Sequence, residues 1–446
     1  MQRGQFSSSF TFVLAAAGSA VGLGNIWGFP TRAAENGGAA FLLMYLVLAF
    51  LLAYPALMAE LIIGRHTRSN MVDALSGIAE GDRARQIGRL TGFAGMATAS
   101  LILCFYSIVA GWMMGAMIEP VAELVGLPTV GAWLTEFGLA RNISLAALFM
   151  VLTALVISAG VENGIEKWSR RLMPSLLILL VSLIIYVLAQ EGAVAGLKHY
   201  LVPDFSQITN PDLIASALGQ AFFSMSLGVG TMLIYGSYIG PQENLPRVGT
   251  LVTLTDTGIA FLAGLLVLPA MFVAQNLGVA IYGEAGGLIA GPDLIFQVLP
   301  ALFESMGSVG LGIGFGFFVL MSIAALTSSI SMLEVPVSYA VESHGLNRSS
   351  ATWVTIAVIF ALSVGVCLTF AWSFDWVITL TTEWAQPLLS MLLCLFAGWV
   401  FYRDRILAEL KQGNPDVEAG LFWKIWPFYV KLICPLLIVV TITQGL

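Results

Sequence analysis

The stretch GSAVGLGNIWGFP, from Gly18 to Pro30, decides how this chain has to fold. It lies within an apolar segment, yet it contains four glycines, a serine and an asparagine. A regular helix disfavours such a stretch, because each interior glycine costs about 1 kcal/mol relative to alanine. Backbone that leaves the helical hydrogen-bond pattern at membrane depth persists only where it faces protein or a water-filled cavity. The stretch therefore predicts a broken membrane helix beside an internal site.

A second stretch of the same kind, SMSLGVG from Ser224 to Gly230, lies in the sixth apolar segment, five segments after the first. Breaks at corresponding places in two five-helix halves are typical of transporters built from inverted repeats, whose half-helix ends point at ligands near the midplane. Tight helix packing through small residues is the alternative interpretation of these glycines, and the sequence leaves it open.

The composition places the whole chain in a membrane. Of its 446 residues, 58% are hydrophobic and 10% are charged, whereas about a quarter of a soluble chain is charged. This excludes a soluble enzyme, a nucleic-acid-binding protein and a disordered scaffold, and the long, unalternated apolar runs exclude a transmembrane β-barrel. The four cysteines and three histidines form no metal-ligand or nucleophile–base motif, so a membrane enzyme is the least supported class.

The apolar runs predict an all-α polytopic membrane protein with eleven spans. They are placed at 9–30, 38–63, 91–118, 143–160, 172–190, 212–239, 249–275, 306–341, 351–372, 377–402 and 421–443. With the N-terminus in the cytoplasm, fifteen of the nineteen Lys and Arg residues lie on the cytoplasmic side and three lie outside. The sequence thus predicts a cytoplasmic N-terminus and an external C-terminus. Lys431 alone falls within a span, where an unpaired amine is costly.

Three motifs carry a resemblance to the neurotransmitter:sodium symporter family. They are GSAVGLGNIWGFP followed by AAENGGAAF (33–41), AFFSMSLGVG (221–230) and AALTSSIS (324–331). The resemblance covers nearly the whole chain and is to the bacterial, eleven-helix members, which implies the bacterial inner (plasma) membrane. It implies the LeuT fold, a 5+5 inverted repeat with broken helices 1 and 6 plus one extra helix. Residues 1–190 would form the first repeat, 191–402 the second, and 403–446 a cytoplasmic loop and the last helix.

The resemblance implies two sodium sites at the helix breaks. Sodium prefers hard oxygen ligands, which a membrane interior supplies as freed carbonyls, hydroxyls, amides and carboxylates. Site 1 is expected to use Ala20, Asn25, Ser224 and Asp256, and site 2 is expected to use Gly18, Val21, Ala324, Thr327 and Ser328. Because Asp256 stands where many relatives have asparagine, we expect its charge to make external chloride unnecessary. A protonated or hydrogen-bonded structural aspartate is the alternative.

The resemblance also implies a substrate site between the broken helices. Its expected residues are Ser19, Ala20, Leu23, Gly24, Ile102, Tyr106, Phe223, Ser224, Ser226, Val229, Ser328 and Met332. The backbone of Leu23 and Gly24 and the Tyr106 hydroxyl would bind a substrate carboxylate, because N–H groups at a half-helix N-terminus bind anions. Gly22 stands where monoamine carriers have aspartate, which argues against a lone amine. The apolar lining favours a neutral, aliphatic or aromatic amino acid.

On the cytoplasmic side, Arg3, Tyr238 and Glu342 match the inner gate of the family. An Arg–carboxylate pair near water can open and close reversibly, because such a pair contributes only about 0–1 kcal/mol. Two further acids lie in spans. Glu60 resembles a family glutamate that hydrogen-bonds the unwound sixth helix, whereas Glu334 has no assigned role.

The outer gate departs from the family pattern. Gly28 stands where relatives have arginine, and Ile378 stands where they have the partner aspartate. Losing both charges together is expected, since removing one would strand the other. External closure then has to rest on aromatic rings, those of Tyr106 and Phe223. Glu383, slightly deeper in the same span, either attracts a cationic cargo or faces external water.

These observations predict a sodium-coupled symporter of neutral amino acids that works by alternating access, with two sodium ions as coupling ions, the lipid bilayer as its environment and no nucleic-acid partner. One alternative is a sodium-coupled carrier of a taurine-like or betaine-like osmolyte or of an amine. Another is a substrate sensor or a channel on the same fold, which binds without coupled flux. The oligomeric state is left open.

Overall fold

A computed structural model describes residues 4–283 and 287–444, so Arg3 of the predicted inner gate lies outside the described residues. Within the described part, regular structure is helical apart from one isolated bridge between Tyr282 and Leu288. Nine helices in this part are long and apolar enough to cross a membrane, and a helix pair bent by 54° adds a tenth. The predicted sixth span is present as two shorter helices, which completes the eleven segments.

The spans are numbered 1 to 11 in chain order. Span 1 comprises Ser9–Ala20 and Gly24–Glu35, and span 6 comprises Pro211–Ser224 and Thr231–Gly236. The others are Ala39–Thr67, Asp82–Leu124, Leu139–Ser158, Val161–Leu188, Leu245–Asn276, Gly307–His344, Arg348–Leu368, Phe370–Val400 and Leu421–Thr443. Span 3 has 43 residues and is about 65 Å long at 1.5 Å per residue, so it projects well beyond a hydrocarbon core of about 30 Å. The predicted edges 91–118 missed this extension because its residues are polar.

The break in span 1 lies at the predicted glycines. Val21 leaves the helical region (φ −77°, ψ 94°) directly after the first half ends at Ala20. The chain resumes as a π-helical turn over Gly24–Gly28 and continues into Phe29–Glu35. The freed backbone groups of residues 21–23 therefore lie in the interior of the protein.

The break in span 6 covers the six residues between Ser224 and Thr231. Ser226, Gly228 and Gly230 all have positive φ, at 53°, 83° and 84°. Glycine adopts this conformation freely, whereas it costs an L-serine roughly 1–2 kcal/mol. The strained Ser226 is held from both ends, because its carbonyl accepts a hydrogen bond from the Thr231 hydroxyl (2.6 Å) and its own hydroxyl donates to the first span.

Glu60 of span 2 satisfies backbone groups that the break in span 6 leaves free. Its two carboxylate oxygens accept from the N–H of Gly228 (2.7 Å) and of Leu233 (3.2 Å). From span 10, the Gln386 amide donates to the Leu227 carbonyl (3.2 Å). Unpaired backbone at membrane depth costs several kcal/mol per group, so these side chains make the unwound segment possible.

The spans pack in two groups. Spans 1, 2, 6 and 7 contact one another, and both halves of span 1 lie against span 7. Span 8 packs along span 3 and also against spans 4, 5 and 9. The two broken helices therefore lie where the first group meets the second, and span 8 faces the break in span 1.

Candidate substrate and sodium site

Asp256 is the charged centre of the predicted sodium site 1. It is fully buried on span 7 and accepts hydrogen bonds from three neutral side chains. The Asn25 amide donates to its Oδ1 at 2.8 Å, and the Ser224 hydroxyl lies 2.8 Å from both carboxylate oxygens. The structure thus brings the side chains of site 1 together, next to the break at Ala20. The cluster is a set of hard oxygen atoms around one carboxylate, which is the donor chemistry that sodium prefers.

Tyr45 also belongs to this cluster, although no sequence motif points to it. Its hydroxyl is buried on span 2 and donates to Asp256 Oδ2 at 3.2 Å. One tyrosine in an otherwise apolar helix resembles ordinary core packing, so only the fold identifies its partner. Within the described residues Asp256 forms no salt bridge with a basic side chain. A buried carboxylate without a basic partner is a strong site for a small cation.

The predicted site 2 lies between span 1 and span 8. The Thr327 hydroxyl faces the carbonyls of Ala324 (3.0 Å) and Val21 (3.4 Å). Gly18 lies directly against this residue, since a Cβ at Gly18 would be 3.4 Å from Thr327 Cβ. The neighbouring Ser328 hydroxyl donates to a different carbonyl, that of Ser19, at 3.1 Å. These groups are all neutral oxygen ligands, in contrast to site 1.

The carbonyl of Ser19 connects three spans at the predicted substrate site. It accepts hydrogen bonds from the hydroxyls of Ser226 on span 6 and Ser328 on span 8, each at 3.1 Å. The Ser19 hydroxyl in turn donates to the Ser331 hydroxyl at 2.7 Å. Freed carbonyl oxygens and hydroxyls that converge in a buried place can accept the hydrogen bonds of an ammonium group.

Tyr106 of span 3 faces the start of the second half of span 1. Its hydroxyl oxygen accepts from the Leu23 N–H at 3.0 Å. A Cβ at position 22 would lie 2.6 Å from this hydroxyl and 2.2 Å from Ser328 Oγ, so Gly22 is the residue that lets these groups meet. The N–H groups and the phenol are donors without a formal charge and suit a carboxylate.

Apolar side chains complete the predicted substrate site. The ring of Phe223 lies over Gly24, where a Cβ would be 3.1 Å from its Cδ1 atom. Ile102 and Met332 are buried on the helices of spans 3 and 8, and Val229 is buried in the unwound segment of span 6. The neutral character of this lining leaves no partner for a charged substrate side chain.

At the amino-terminal side of the bundle, where Ser9 begins span 1, an ion pair between a buried carboxylate and a partly exposed arginine joins several spans. The Tyr238 hydroxyl donates to Glu334 Oε1 at 2.5 Å, and Arg348 Nη2 donates to Glu334 Oε2 at 2.5 Å. Arg348 also donates through Nε to the Ile157 carbonyl at the end of span 4 (2.8 Å). Glu334 therefore lies at the centre of a contact between spans 8 and 9, the end of span 4 and the residues that follow span 6. The sequence suggested only an orienting charge for Arg348, because its partner lies fourteen residues away on another helix.

The other predicted inner-gate residue, Glu342, lies at the end of span 8. Its Oε2 accepts from the backbone N–H of Asn70 (2.7 Å) and from the Asn70 amide (3.2 Å). Nearby, the segment before span 1 is tied to span 6, because the Phe6 N–H donates to the Tyr238 carbonyl at 3.1 Å. Glu166 of span 5 accepts from the backbone N–H and the hydroxyl of Ser7. These contacts join the segment before span 1 to span 5 and to the residues that follow span 6.

On the opposite side, Arg32 and Glu383 face a common cavity of about 370 Å³. The Arg32 guanidinium donates to the Ser216 carbonyl of span 6 at 3.1 Å. Glu383 of span 10 lies close enough to interact with this guanidinium electrostatically, although the two do not form a direct salt bridge. The arginine is one helical turn beyond Gly28, so the chain places a basic group near, but not at, the family position.

Gly28 itself faces a buried glutamine. The Gln220 amide donates to the Gly24 carbonyl at 2.6 Å, and its Oε1 has no hydrogen-bond partner among the described residues. A Cβ at Gly28 would lie 3.3 Å from that oxygen. The Trp27 indole donates to the Gly291 carbonyl at 3.1 Å, which attaches the loop before residue 294 to span 1.

The broken spans and the oxygen-rich site between them define a multi-pass membrane transporter of the LeuT fold. The chain belongs to the sodium:neurotransmitter symporter family, whose family model matches residues 3–124 and 129–446. Members of this family are transporters and not enzymes, and they depend on sodium.

Individual relatives support the same assignment. The chain is 34% identical to the uncharacterized sodium-dependent transporter YhdH of Bacillus subtilis, over 98% of this chain and 96% of that protein. It is 28% identical to the sodium- and chloride-dependent taurine transporter of Bos taurus, over 77% of this chain and 61% of that protein. The structure is similar to that of MhsT in complex with L-phenylalanine, with a TM-score of 0.85, 33% identity and complete coverage of both chains. These findings confirm the predicted fold and family.

Proposed function

We propose that this protein couples the movement of sodium to the uptake of a neutral α-amino acid with an aliphatic or aromatic side chain. The observation that carries the proposal is the junction of the two sites at Ser224 and the broken first span. Ser224 bonds Asp256, and two residues later Ser226 bonds the Ser19 carbonyl at the substrate site. Sodium and substrate would therefore order the same backbone, so each raises the affinity for the other by the same factor.

The expected pocket chemistry fits an α-amino acid at both of its charged ends. The N–H groups at Leu23 and Gly24 and the Tyr106 hydroxyl suit a carboxylate, while the Ser19 carbonyl and its neighbouring hydroxyls suit an ammonium. MhsT, similar over its whole length, is solved with L-phenylalanine. Taurine is the second candidate, because taurine transporters are among the relatives and a sulfonate could occupy the anion position.

The ions and the orientation form part of the same proposal. Two sodium ions bind, one at Asp256 and one at Thr327 and its neighbouring carbonyls, and the charge of Asp256 removes the need for chloride. The amino-terminal side faces the cytoplasm of a bacterial inner membrane and the C-terminus lies outside, because fifteen of the nineteen basic residues then lie inside. Residues 1–190 and 191–402 are the two inverted repeats. Spans 1, 2, 6 and 7 rock against the rest to alternate access.

A thermal-stability measurement on the purified protein tests the substrate. L-phenylalanine is expected to raise the melting temperature in sodium and to have no effect in potassium, because the substrate site needs the ordered first span. The Tyr106→Phe variant should need about tenfold more phenylalanine for the same shift, since one hydrogen bond to a carboxylate is worth about 1.5–3 kcal/mol. Stabilisation by taurine but not by phenylalanine would instead support the osmolyte cargo. Stabilisation that is equal in potassium would contradict sodium coupling.

The outer closure gives a separate prediction. We propose that closure does not rest on the rings of Tyr106 and Phe223 alone. Arg32 and Glu383 also hold spans 1 and 10 together when substrate is bound, in place of the charges missing at Gly28 and Ile378. Glu383→Gln should then release bound phenylalanine up to about fivefold faster, since a partly exposed pair is worth up to about 1 kcal/mol. Asp212→Asn removes another carboxylate from the same cavity and is the matched control, expected to release at the wild-type rate. Equal release rates in Glu383→Gln and the wild type would contradict this role.

A further inference from the structure

Spans 10 and 11 enclose a basic pocket where span 10 ends and span 11 begins. The loop helix Arg403–Gly413 follows span 10 at this point. The cavity measures about 350 Å³. Its lining includes three cations, Arg403, Lys424 and Lys431, and no carboxylate. The substrate and sodium sites proposed above include none of these three cations, which lie far along the chain from the broken helices.

Lys431 lies deepest in the membrane of the three cations, because it is ten residues beyond the start of span 11, whereas Lys424 lies in the first turn of that span and Arg403 lies in the loop helix. Its ammonium lies 4.0 Å from the centre of the Trp399 ring, and its backbone carbonyl accepts from the Trp399 indole at 3.0 Å. The two spans can approach this closely because of Gly398, where a Cβ would lie 2.6 Å from Lys431 Cα. The ring stabilises the ammonium by a cation–π contact but does not neutralise it.

Within the part of the chain that the structure describes, the other two cations also form no salt bridge with a carboxylate. Arg403 lies 5.2 Å from the centre of the Trp423 ring. Neighbouring basic residues on the same side do form salt bridges, namely Arg65 with Glu409, Arg405 with Glu80 and Lys411 with Glu418. Among the described residues, no salt bridge includes a cation of the basic pocket. Asp404 follows Arg403 in the chain but does not line the cavity.

The surroundings of the basic pocket are those of a lipid-facing membrane boundary. Trp399, Phe428 and Ile425 expose 60%, 61% and 56% of their surface. Tryptophan concentrates where a helix passes from hydrocarbon to headgroups, and lysine stems extend toward the same level. If an anionic lipid bound its headgroup in this pocket, its acyl chains would pack against the exposed side chains of Trp399, Phe428 and Ile425.

We infer that the basic pocket between spans 10 and 11 binds the phosphate headgroup of an anionic phospholipid. Three uncompensated cations at one headgroup favour a lipid with net negative charge over a zwitterionic one. The lipid would link span 10, span 11 and the start of the loop helix, whose Glu409 is bonded to Arg65 at the end of span 2. Bound lipid is therefore expected to stabilise the folded protein.

Lipid titration of the full-length protein in detergent tests this inference, with native mass spectrometry and melting temperature as readouts. Phosphatidylglycerol and cardiolipin should bind and stabilise at a concentration at least about tenfold lower than phosphatidylcholine does. Inorganic phosphate is titrated in parallel, to test whether the free anion stabilises the protein without a lipid. Stabilisation by phosphate equal to that by lipid, or equal binding of all lipids, would overturn the inference.

Charge variants locate the site. The triple variant Arg403→Gln, Lys424→Gln, Lys431→Gln should weaken phosphatidylglycerol binding at least about tenfold. The matched control Lys167→Gln, Arg170→Gln, Arg171→Gln removes three exposed cations at the start of span 5 on the same side, and should change binding by no more than about twofold. Retention of sodium-dependent stabilisation by phenylalanine verifies that each variant is folded. Equal losses in the two triples would place the effect in overall charge and contradict the pocket.

Discussion

Replacing Asp256 by asparagine is expected to raise the sodium concentration for half-maximal uptake at least tenfold. The Asp256 carboxylate is fully buried and accepts hydrogen bonds from Asn25, Ser224 and Tyr45. These neighbours are neutral, so the affinity for a sodium ion at this place depends on the negative charge of Asp256. Leaving a buried charge without its partner costs about 3–5 kcal/mol, and about 1.4 kcal/mol already corresponds to a factor of ten. Sodium titrations of phenylalanine uptake in proteoliposomes measure the effect.

The chloride dependence of the same variant separates the two interpretations of Asp256. Wild-type uptake is expected to continue when chloride is replaced by gluconate, because the site carries its own negative charge. Uptake by Asp256→Asn should instead fall further in gluconate. Tyr45→Phe is the matched control, since it removes a hydroxyl from the same cluster without removing charge, and it should shift the sodium requirement by only a few fold. An unchanged sodium requirement in Asp256→Asn would mean that this residue is a structural aspartate.

Replacing Glu334 by glutamine is expected to open the amino-terminal side. The Glu334 carboxylate is fully buried, whereas Arg348 is 25% exposed. We therefore expect the closed form to lose about 2 kcal/mol of stabilisation, which is below the range for fully buried pairs. That corresponds to about a thirtyfold shift in the population of closed and open forms. Uptake should fall, because a transporter held open on the amino-terminal side seldom adopts the form that is open on the opposite side.

Cysteine labelling measures this opening directly. The four natural cysteines are all buried, and Ser237 is 3% exposed beside Tyr238, so a Ser237→Cys substitution provides a single reporter. Its reaction with a membrane-permeant maleimide should be about thirtyfold faster with Glu334→Gln. Glu80→Gln breaks an exposed pair with Arg405 on the same side and should leave the rate unchanged. If Glu334→Gln also labels at the original rate, the ion pair does not hold this side closed.

The broken helices could be predicted because their cause is local. Glycines clustered around Gly22 and Gly228 disfavour a helix by themselves, whatever packs against them. Asn25 and Ser224 lie in the same motifs as the breaks, and the resemblance supplied the other expected ligands on spans 7 and 8. The resemblance also predicted the role of Glu60, whose carboxylate accepts from the backbone N–H of Gly228.

The partners across the bundle could not be predicted in this way. Tyr45 meets Asp256 across 211 residues, and Tyr238 meets Glu334 across 96, which no local pattern records. The sequence identifies Arg348 only as a basic residue on one side of the membrane, and its bidentate contact with Glu334 depends on how spans 8 and 9 cross. The same holds for Arg32, which shares a cavity with Glu383.

Charge is scarce in this chain, and the fold gives several of the membrane-embedded charges a specific partner. Asp256 lies among neutral donors, whereas Glu334 lies against Arg348. The first arrangement suits a mobile cation, because no protein cation competes for the carboxylate. The second suits a contact that must form and break during transport, because both partners belong to the protein. This difference fits the two roles proposed here, in which Asp256 binds the coupling ion and Glu334 holds the amino-terminal side closed.

Accumulation driven by a sodium gradient tests the central claim most directly. Proteoliposomes loaded with potassium and diluted into sodium chloride or sodium gluconate receive radiolabelled L-phenylalanine outside. Internal phenylalanine is expected to rise above the external concentration in both media, and a sodium ionophore is expected to abolish the phenylalanine gradient. Phenylalanine that only equilibrates, that does not enter, or that accumulates without a sodium gradient would contradict it.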